Sequence, residues 1–337
     1  MSELRFDPVG RSWVIIAPER GERPSDFLPA PDRDAAESCP LCLFAAGDEP
    51  STVVARRAQG DDEVLVVANR FPALRIEHHP RRRAVGPYDQ VSGVGAHEVI
   101  VETRHHGLAF SALPSEHIAA IILTWRDRIA DLMRDRRVHY VTVFKNSGWQ
   151  AAAPHEHAHS QVIATPVRPT RLADELAAAR EHFFAKERCL SCDVVNYELE
   201  ARERIVEVTE RYAAFCPYAS RHPFEVLIYP RQHEHDFTRI SDASARELAR
   251  LLKRTLERLR RALSGPAFNL GLHTTPSLST IARAHHDLDG MDLFWHWRLE
   301  LIPRINSYGG FEITADVHIN PVAPEEAAAH LRTLDPE

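Results

Sequence analysis

No stretch of this 337-residue sequence approaches the roughly 18 consecutive apolar residues that a membrane-crossing helix needs. The opening Met1-Ser2-Glu3-Leu4-Arg5 lacks the apolar core of a signal peptide, so the expected location is cytoplasmic, with no membrane partner. Positive charge is not in excess: 41 Lys and Arg stand against 48 Asp and Glu, a net charge of −7, which argues against a general nucleic-acid binder. Cysteine is scarce, with five in all, and four of them form two Cys-x-x-Cys pairs, Cys39/Cys42 and Cys189/Cys192, leaving Cys216 alone. In a reducing compartment such pairs bind metal or do redox work more often than they form disulfides. Histidine, by contrast, is abundant, with 20 residues. The length suits about two domains, and 44 % hydrophobic with 26 % charged residues is the profile of a globular protein.

The chain reads as one plan used twice. Each Cys-x-x-Cys is followed by an apolar run of strand length that ends in a basic, His-containing turn: His97–His106 in the first half and Phe224–His233 in the second. A helix follows each run. Ile118, Ile121, Ile122, Trp125, Ile129 and Leu132 recur at helical spacing, as do Leu248, Leu251, Leu252, Leu256, Leu259 and Leu263, with Ser115 and Ser241 placed as N-caps. Two further strands complete each half: Tyr140–Phe144 and His159–Ala164, then Phe268–Leu272 and His296–Leu301. The expected fold class is α+β, two tandem half-domains over residues 1–170 and 171–337, each a mainly antiparallel sheet with a packed long helix. A helical stretch, Arg171–Lys186, joins them.

Zinc takes four nitrogen or sulfur ligands in a tetrahedron, and a Cys-x-x-Cys turn supplies two. A His in the matching place of each half raises the expectation. The two sets are Cys39, Cys42, His106 and His157, and Cys189, Cys192, His233 and His296. His105 competes with His106, and His222 or His235 with His233. Four protein ligands leave no position for water, so two structural zinc ions per chain are expected. A redox role would need one such pair, not two in matching repeats.

The sharpest motif is Pro154-His155-Glu156-His157-Ala158-His159-Ser160-Gln161, leading into an apolar strand. On a strand His155, His157, His159 and Gln161 would share one face. A neutral imidazole beside a bound polyphosphate is a competent nucleophile for phosphorus. A His-rich metal-binding loop is the plainer alternative.

His157-Ala158-His159-Ser160-Gln161 resembles the His-x-His-x-Gln signature of the galactose-1-phosphate uridylyltransferase family, a branch of the histidine-triad superfamily. Arg20-Gly21-Glu22-Arg23-Pro24, Asn69-Arg70-Phe71-Pro72-Ala73-Leu74, Phe144-Lys145-Asn146-Ser147-Gly148 and Gly310-Phe311-Glu312 resemble further segments of that family in the same order. The resemblance implies histidine-triad-like halves and a nucleotidyltransferase of galactose metabolism. It implies His159 as the nucleophile and His157 as a zinc ligand with Cys39, Cys42 and His106. Gln161 would contact the phosphate, Asn69 and Asn146 the nucleotide, Arg20 and Arg23 the phosphates, and Glu312 the sugar hydroxyls. Its partners would be a nucleotide sugar and a sugar 1-phosphate or phosphate, and its assembly a homodimer. Pro154 stands where the family places a phosphate-contacting serine. His159-Ser160-Gln161, the closed second Cys-x-x-Cys site, Gly309–Glu312 and Ile319–Val322 look more like a branch that includes ADP-glucose phosphorylases, which pass the nucleotide to inorganic phosphate.

The expected reaction is a ping-pong UDP-glucose–hexose-1-phosphate uridylyl transfer through His159. The His157 carbonyl is expected to fix the ring's tautomer, and backbone amides around residues 151–154 to stabilise charge. An ADP-glucose phosphorylase, a histidine-triad hydrolase and a non-catalytic zinc-stabilised interaction module are the alternatives. The sequence leaves uracil and adenine open.

Overall fold

The computed structural model describes residues 3–7, 12–16, 39–45, 53–70, 72–77, 79, 81–85, 88–153, 155–277 and 288–336. The first half carries β1 (Glu3–Asp7), β2 (Ser12–Ile16), α1 (Pro40–Ala45), β3 (Val53–Gln59), β4 (Asp62–Ala68), β5 (Arg82–Val85), β6 (Tyr88–Val91), β7 (Ala96–Val101), α2 (Ser115–Leu132), β8 (Tyr140–Ser147) and β9 (His159–Thr165). Then come α3 (Thr170–Lys186), α4 (Leu190–Ala201), β10 (Ile205–Val208), β11 (Tyr212–Phe215), β12 (Val226–Pro230), α5 (Asp242–Ala262), β13 (Phe268–His273), α6 (Met291–Phe294), β14 (Arg298–Pro303), α7 (Gly310–Ala315), β15 (His318–Asn320) and α8 (Pro324–Thr333). None of the described helices is long and apolar enough to cross a membrane.

The α+β expectation holds, with one difference. The two halves do not keep separate sheets. Their strands merge into one ten-stranded antiparallel sheet, ordered β10-β11-β12-β14-β13-β8-β9-β7-β4-β3. The seam is β8 against β13, where Phe144 lies opposite Gly271 and Asn146 opposite Asn269. The two halves match in register across this seam. Phe144 also pairs with Gln161, and Gly271 with Glu300, so Gln161 and Glu300 hold corresponding places. A three-stranded sheet, β1-β2-β15, ties the start of the chain to its end, with β15 parallel to β2.

The long helices α2 and α5 pack on one face of the large sheet. Val64, Val66, Ile100, Val141, Val143 and Val162 from the first half and Ile228, Leu270, Leu272, Leu299 and Leu301 from the second join the helices' Ile118, Ile121, Trp125, Leu248, Leu252 and Leu256 in one core. Each such side chain contributes about 1.5–3 kcal/mol when fully buried. Because the two helices also meet each other, α2 is buried on more than one side, including His117, Thr124 and Arg128. The Arg128 guanidinium is fixed to Glu98 of β7 by two hydrogen bonds of 2.7 Å. Ser241 caps α5 as its sequence suggests, its Oγ accepting the Ser244 N–H at 3.1 Å. Ser115 does not cap α2: it is the first helical residue and Pro114 is the N-cap, since proline's fixed φ suits entry to a helix and needs no hydroxyl.

Alternation along β9 settles which residues face away from these helices. Ser160 points to the helix layer, where its Oγ accepts the Trp125 indole N–H at 2.9 Å, and Val162 follows it into the core. His159 and Gln161 therefore face the other way. On that opposite face α1 covers β4 and β7, α3 and α6 cover part of β8, and α4 covers β11 and β12.

Candidate active site and metal centres

Strand β9 begins at His159, so the histidine triplet is not a single strand face. His155 and His157 lie in the preceding turn, and their rings diverge. The His157 ring is fully buried and enters the first Cys/His cluster. The His155 ring stays 6.4 Å from that of His159.

His159 is 5 % exposed, and its ring is locked from one side. Nδ1 donates to the His157 carbonyl at 2.8 Å, as expected, which leaves Nε2 with the free lone pair. Burial, aided by the nearby Lys145 ammonium, pushes the ring's pKa down to about 4. The imidazole is neutral at neutral pH, the state a nucleophile needs.

Around it the sheet assembles polar groups on one face. Gln161 stands two residues along β9. From the neighbouring β7, His97 Nε2 lies 2.9 Å from Gln161 Oε1 and 3.1 Å from the Asn69 amide. On the other side of β9 is Asn146, whose Oδ1 accepts from Asn269 Nδ2 at 2.8 Å across the seam. Asn269 also donates to the Ala151 carbonyl at 3.0 Å, so the second half helps hold the 148–153 turn of the first. Gly148 opens that turn at φ +84°, and a Cβ there would come within 2.7 Å of the Ala267 Cβ.

That turn corrects one expectation. The N–H groups of Ala151 and Ala153 both donate to Gly148 O, and that of Ala152 to Trp149 O. Pro154 has no N–H. The N–H groups of residues 151–153 are therefore spent within the turn.

Of the other expected site residues, Asn69 and Asn146 lie on the His159 face. Glu312 sits in the first turn of α7, where Oε2 accepts the Gly309 N–H at 3.0 Å, and it shares no hydrogen bond with the His159 group. Arg20 and Arg23 fall outside the described residues. The sequence reading missed His97, Asn269 and the pair Lys145–Glu102. A lysine inside an apolar strand was the signal for the last.

Lys145 and Glu102 form a buried ion pair on the helix side of the sheet, Nζ to Oε2 at 2.6 Å, with 2 % and 0 % exposure. Lys145 Nζ also donates to the His159 carbonyl at 2.9 Å. Breaking such a pair strands a charge. Lys145→Met should therefore lower unfolding free energy by about 3–5 kcal/mol in urea titrations. A loss under about 1 kcal/mol would show that the carboxylate is accommodated without its partner.

Among the described residues two clusters could hold a metal ion, and they are the expected sets: Cys39, Cys42, His106 and His157, and Cys189, Cys192, His233 and His296, with the ligand atoms of each set within 4.8 Å of one another. His106 and His233 take these places, not His105, His222 or His235. His222 instead pairs with the Tyr308 hydroxyl at 2.9 Å. In the first set Cys42 Sγ lies 3.3 Å from Nδ1 of both His106 and His157, and Cys39 Sγ 3.9 Å from His157 Nδ1. In the second, Cys192 Sγ lies 3.3 Å from His233 Nδ1 and 3.5 Å from His296 Nδ1. With bonds of about 2.0–2.3 Å, ligands on a tetrahedron stand roughly 3.3–3.8 Å apart, and the sets fit. In each set one far nitrogen is used as such sites require: His157 Nε2 donates to Thr103 O and His233 Nε2 to Asp292 O, each at 2.8 Å, while His296 Nε2 is buried without a hydrogen-bond partner among the described residues.

The matching place in the second half is chemically different. Two residues after His296 stands Arg298, where the first half has His159, and Glu300 replaces Gln161. Arg298 is buried against Glu175 at 2.7 Å, while Glu300 bonds Arg171 at 2.9 Å, His273 at 2.8 Å and Arg221. A cavity of about 510 Å³ opens beside these residues, lined in part by Tyr197, Arg204 and Tyr218, and no histidine is among the described residues that line it. The plan is used twice, but its imidazole stands only once.

Comparison with known proteins agrees with this geometry. Residues 1–169 match the family model for the N-terminal domain of galactose-1-phosphate uridyl transferase, and residues 175–337 that for its C-terminal domain. The chain is 30 % identical to ADP-glucose phosphorylase of Arabidopsis thaliana over 98 % of its own length and 93 % of that protein's. It is 28 % identical to galactose-1-phosphate uridylyltransferase of Thermotoga maritima over the whole of both chains. Among solved structures, that of the Arabidopsis ADP-glucose phosphorylase with bound ADP-glucose superposes with a TM-score of 0.83 at 29 % identity, covering 99 % of this chain and 100 % of the other. A uridylyltransferase structure gives a TM-score of 0.72 at 26 % identity, covering 99 % and 98 %.

Proposed function

The chain belongs to the galactose-1-phosphate uridyl transferase family, and from that premise we propose that it transfers a nucleotidyl group from a nucleotide sugar to a phosphate acceptor by way of His159. The observation that carries this reading is the state of the His159 ring, neutral, with Nδ1 tied to the His157 carbonyl. Nε2 attacks the α-phosphorus, and the bond from that phosphorus to the sugar phosphate breaks. Hexose 1-phosphate leaves and a nucleotidyl-His159 phosphoramidate remains. An acceptor phosphate oxygen then attacks the same phosphorus and restores the imidazole. Gln161 is assigned to the phosphate, Asn69 and Asn146 to the nucleotide, Arg20 and Arg23 by their sequence to the phosphates, and Glu312 to the sugar hydroxyls.

The favoured donor and acceptor are UDP-glucose and galactose 1-phosphate, the pair implied by the family to which both domain models belong. ADP-glucose with inorganic phosphate is the second reading, favoured by the 30 % identity and the TM-score of 0.83 to the phosphorylase. Two zinc ions fill the two Cys/His sets. Their chemistry is structural, since four protein ligands leave no position for water. A homodimer, a cytoplasmic location, and a division into domains at residues 1–170 and 171–337 complete the reading.

Initial rates with each donor and acceptor pair test it. Either productive pair should give parallel lines in double-reciprocal plots, and the donor alone should add one nucleoside monophosphate to the protein's mass. Intersecting lines with no adduct would replace the covalent route by direct transfer. A protein that turns over no nucleotide sugar and gains no heat stability from any would be the interaction module instead.

A further inference from the structure

We propose, resting on the transfer chemistry above, that His97 is a positioning residue that decides which end of the Gln161 amide faces the reacting phosphate. The argument begins with a backbone group. The Ala73 N–H donates to His97 Nδ1 at 3.1 Å. A side-chain amide can be turned end for end, but a backbone N–H cannot. Nδ1 must therefore be the unprotonated, accepting nitrogen of the ring. That excludes the imidazolium, which would set two donors against each other. The one ring proton sits on Nε2.

Nε2–H then points at Gln161, 2.9 Å away, where only the amide oxygen can accept it; the Asn69 amide, 3.1 Å from the same nitrogen, must likewise turn its oxygen to the ring, since its NH₂ would set two donors against each other. The NH₂ end of Gln161 is left on the face it shares with His159. This orientation is the useful one. Phosphate oxygens are acceptors throughout the reaction, so an amide that stabilises their charge must offer N–H. Its carbonyl end would repel them. Unaided, the two orientations of a terminal amide differ little in shape, and the protein must choose by hydrogen bonding.

Register supplies the reach. Val99 of β7 lies opposite Gln161 of β9, and His97 is two residues from Val99 on the same strand face. The same residue anchors the strand that enters the Asn69 segment, since the Asn69 N–H donates to the His97 carbonyl at 2.9 Å. One imidazole thus joins a backbone amide at residue 73, the nucleotide-side Asn69 and the phosphate-side Gln161.

Single-turnover formation of the nucleotidyl-protein, followed by mass with UDP-glucose or ADP-glucose, tests the proposal. His97→Leu should slow adduct formation by about 10- to 100-fold, below the full loss of a charge-stabilising donor, with little change in donor affinity. His97→Gln, which keeps a donor where Nε2–H was, should recover most of the rate. His97→Leu added to Gln161→Ala should slow the reaction by less than about twofold beyond Gln161→Ala alone, because His97 acts through that amide. Should His97→Leu fail to fold, His97→Asn takes its place, since its shorter amide falls short of Gln161, and must show the loss that His97→Gln does not. A wild type that forms the adduct while these variants match it, or while the His97 and Gln161 effects multiply independently, overturns the proposal and spares the transfer reading. A wild type that forms no adduct with either donor overturns both.

Discussion

With His159 replaced by glycine or asparagine, the nucleotidyl adduct should disappear and transfer should fall by on the order of 10⁴-fold or more, while metal content stays that of the wild type. The expectation rests on singularity. In the corresponding place of the second half Arg298 is held by Glu175, and a guanidinium is not a nucleophile at neutral pH. His155 is the substitute the motif itself offers, but its ring centroid lies 6.4 Å from that of His159. His155→Asn should change the rate little. The fold should survive because the His159 side chain contributes one hydrogen bond to a neighbourhood held by the strands on either side of β9. Leaving the His157 carbonyl without its donor costs about 1–3 kcal/mol, and asparagine restores part of it. Mass mapping after acid treatment checks the outcome, since a phosphoramidate is acid-labile. An adduct that persists in His159→Gly and maps to His155 would move the nucleophile, and unchanged turnover would remove histidine from the chemistry.

The repeat was legible because hydrophobic periodicity reports elements well: β7, β8, β9, β13, β14, α2 and α5 each overlap an expected run. The two Cys/His sets were legible for a stronger reason, since four chemically rare ligands had to converge from distant segments in both halves. The merger of the halves was not legible. The contact of β8 with β13 pairs Asn146 with Asn269, and nothing local in either strand says that its edge meets the other. Alternation extended back from β9 places His155 and His157 on the face of His159, but the strand begins only at His159 and the His157 ring enters the Cys/His set instead. His97 escaped notice for a similar reason. Its role depends on the Ala73 N–H and on Gln161, contacts that only the folded sheet brings together.

Removing metal should have the largest effect on stability. Each set joins segments far apart in sequence, and binding at comparable Cys/His sites is worth on the order of 10 kcal/mol of apparent free energy at neutral pH. Elemental analysis should return two zinc ions per chain, and a strong chelator should unfold the protein at a temperature where the untreated form is stable. The two sets should differ in what else they control. His157 supplies both a ligand to the first set and the carbonyl that orients His159. His157→Asn should thus lose one ion, lose stability and lose transfer together, even at a temperature where the variant remains folded. His296 lies across the seam, two residues from Arg298 and not from the nucleophile. His296→Asn should lose the other ion and much of the stability, yet still form the adduct at low temperature. Equal loss of transfer in both variants would mean that the second set reaches the nucleophile through the shared sheet. Full stability without metal would show that both Cys/His sets are held by packing alone.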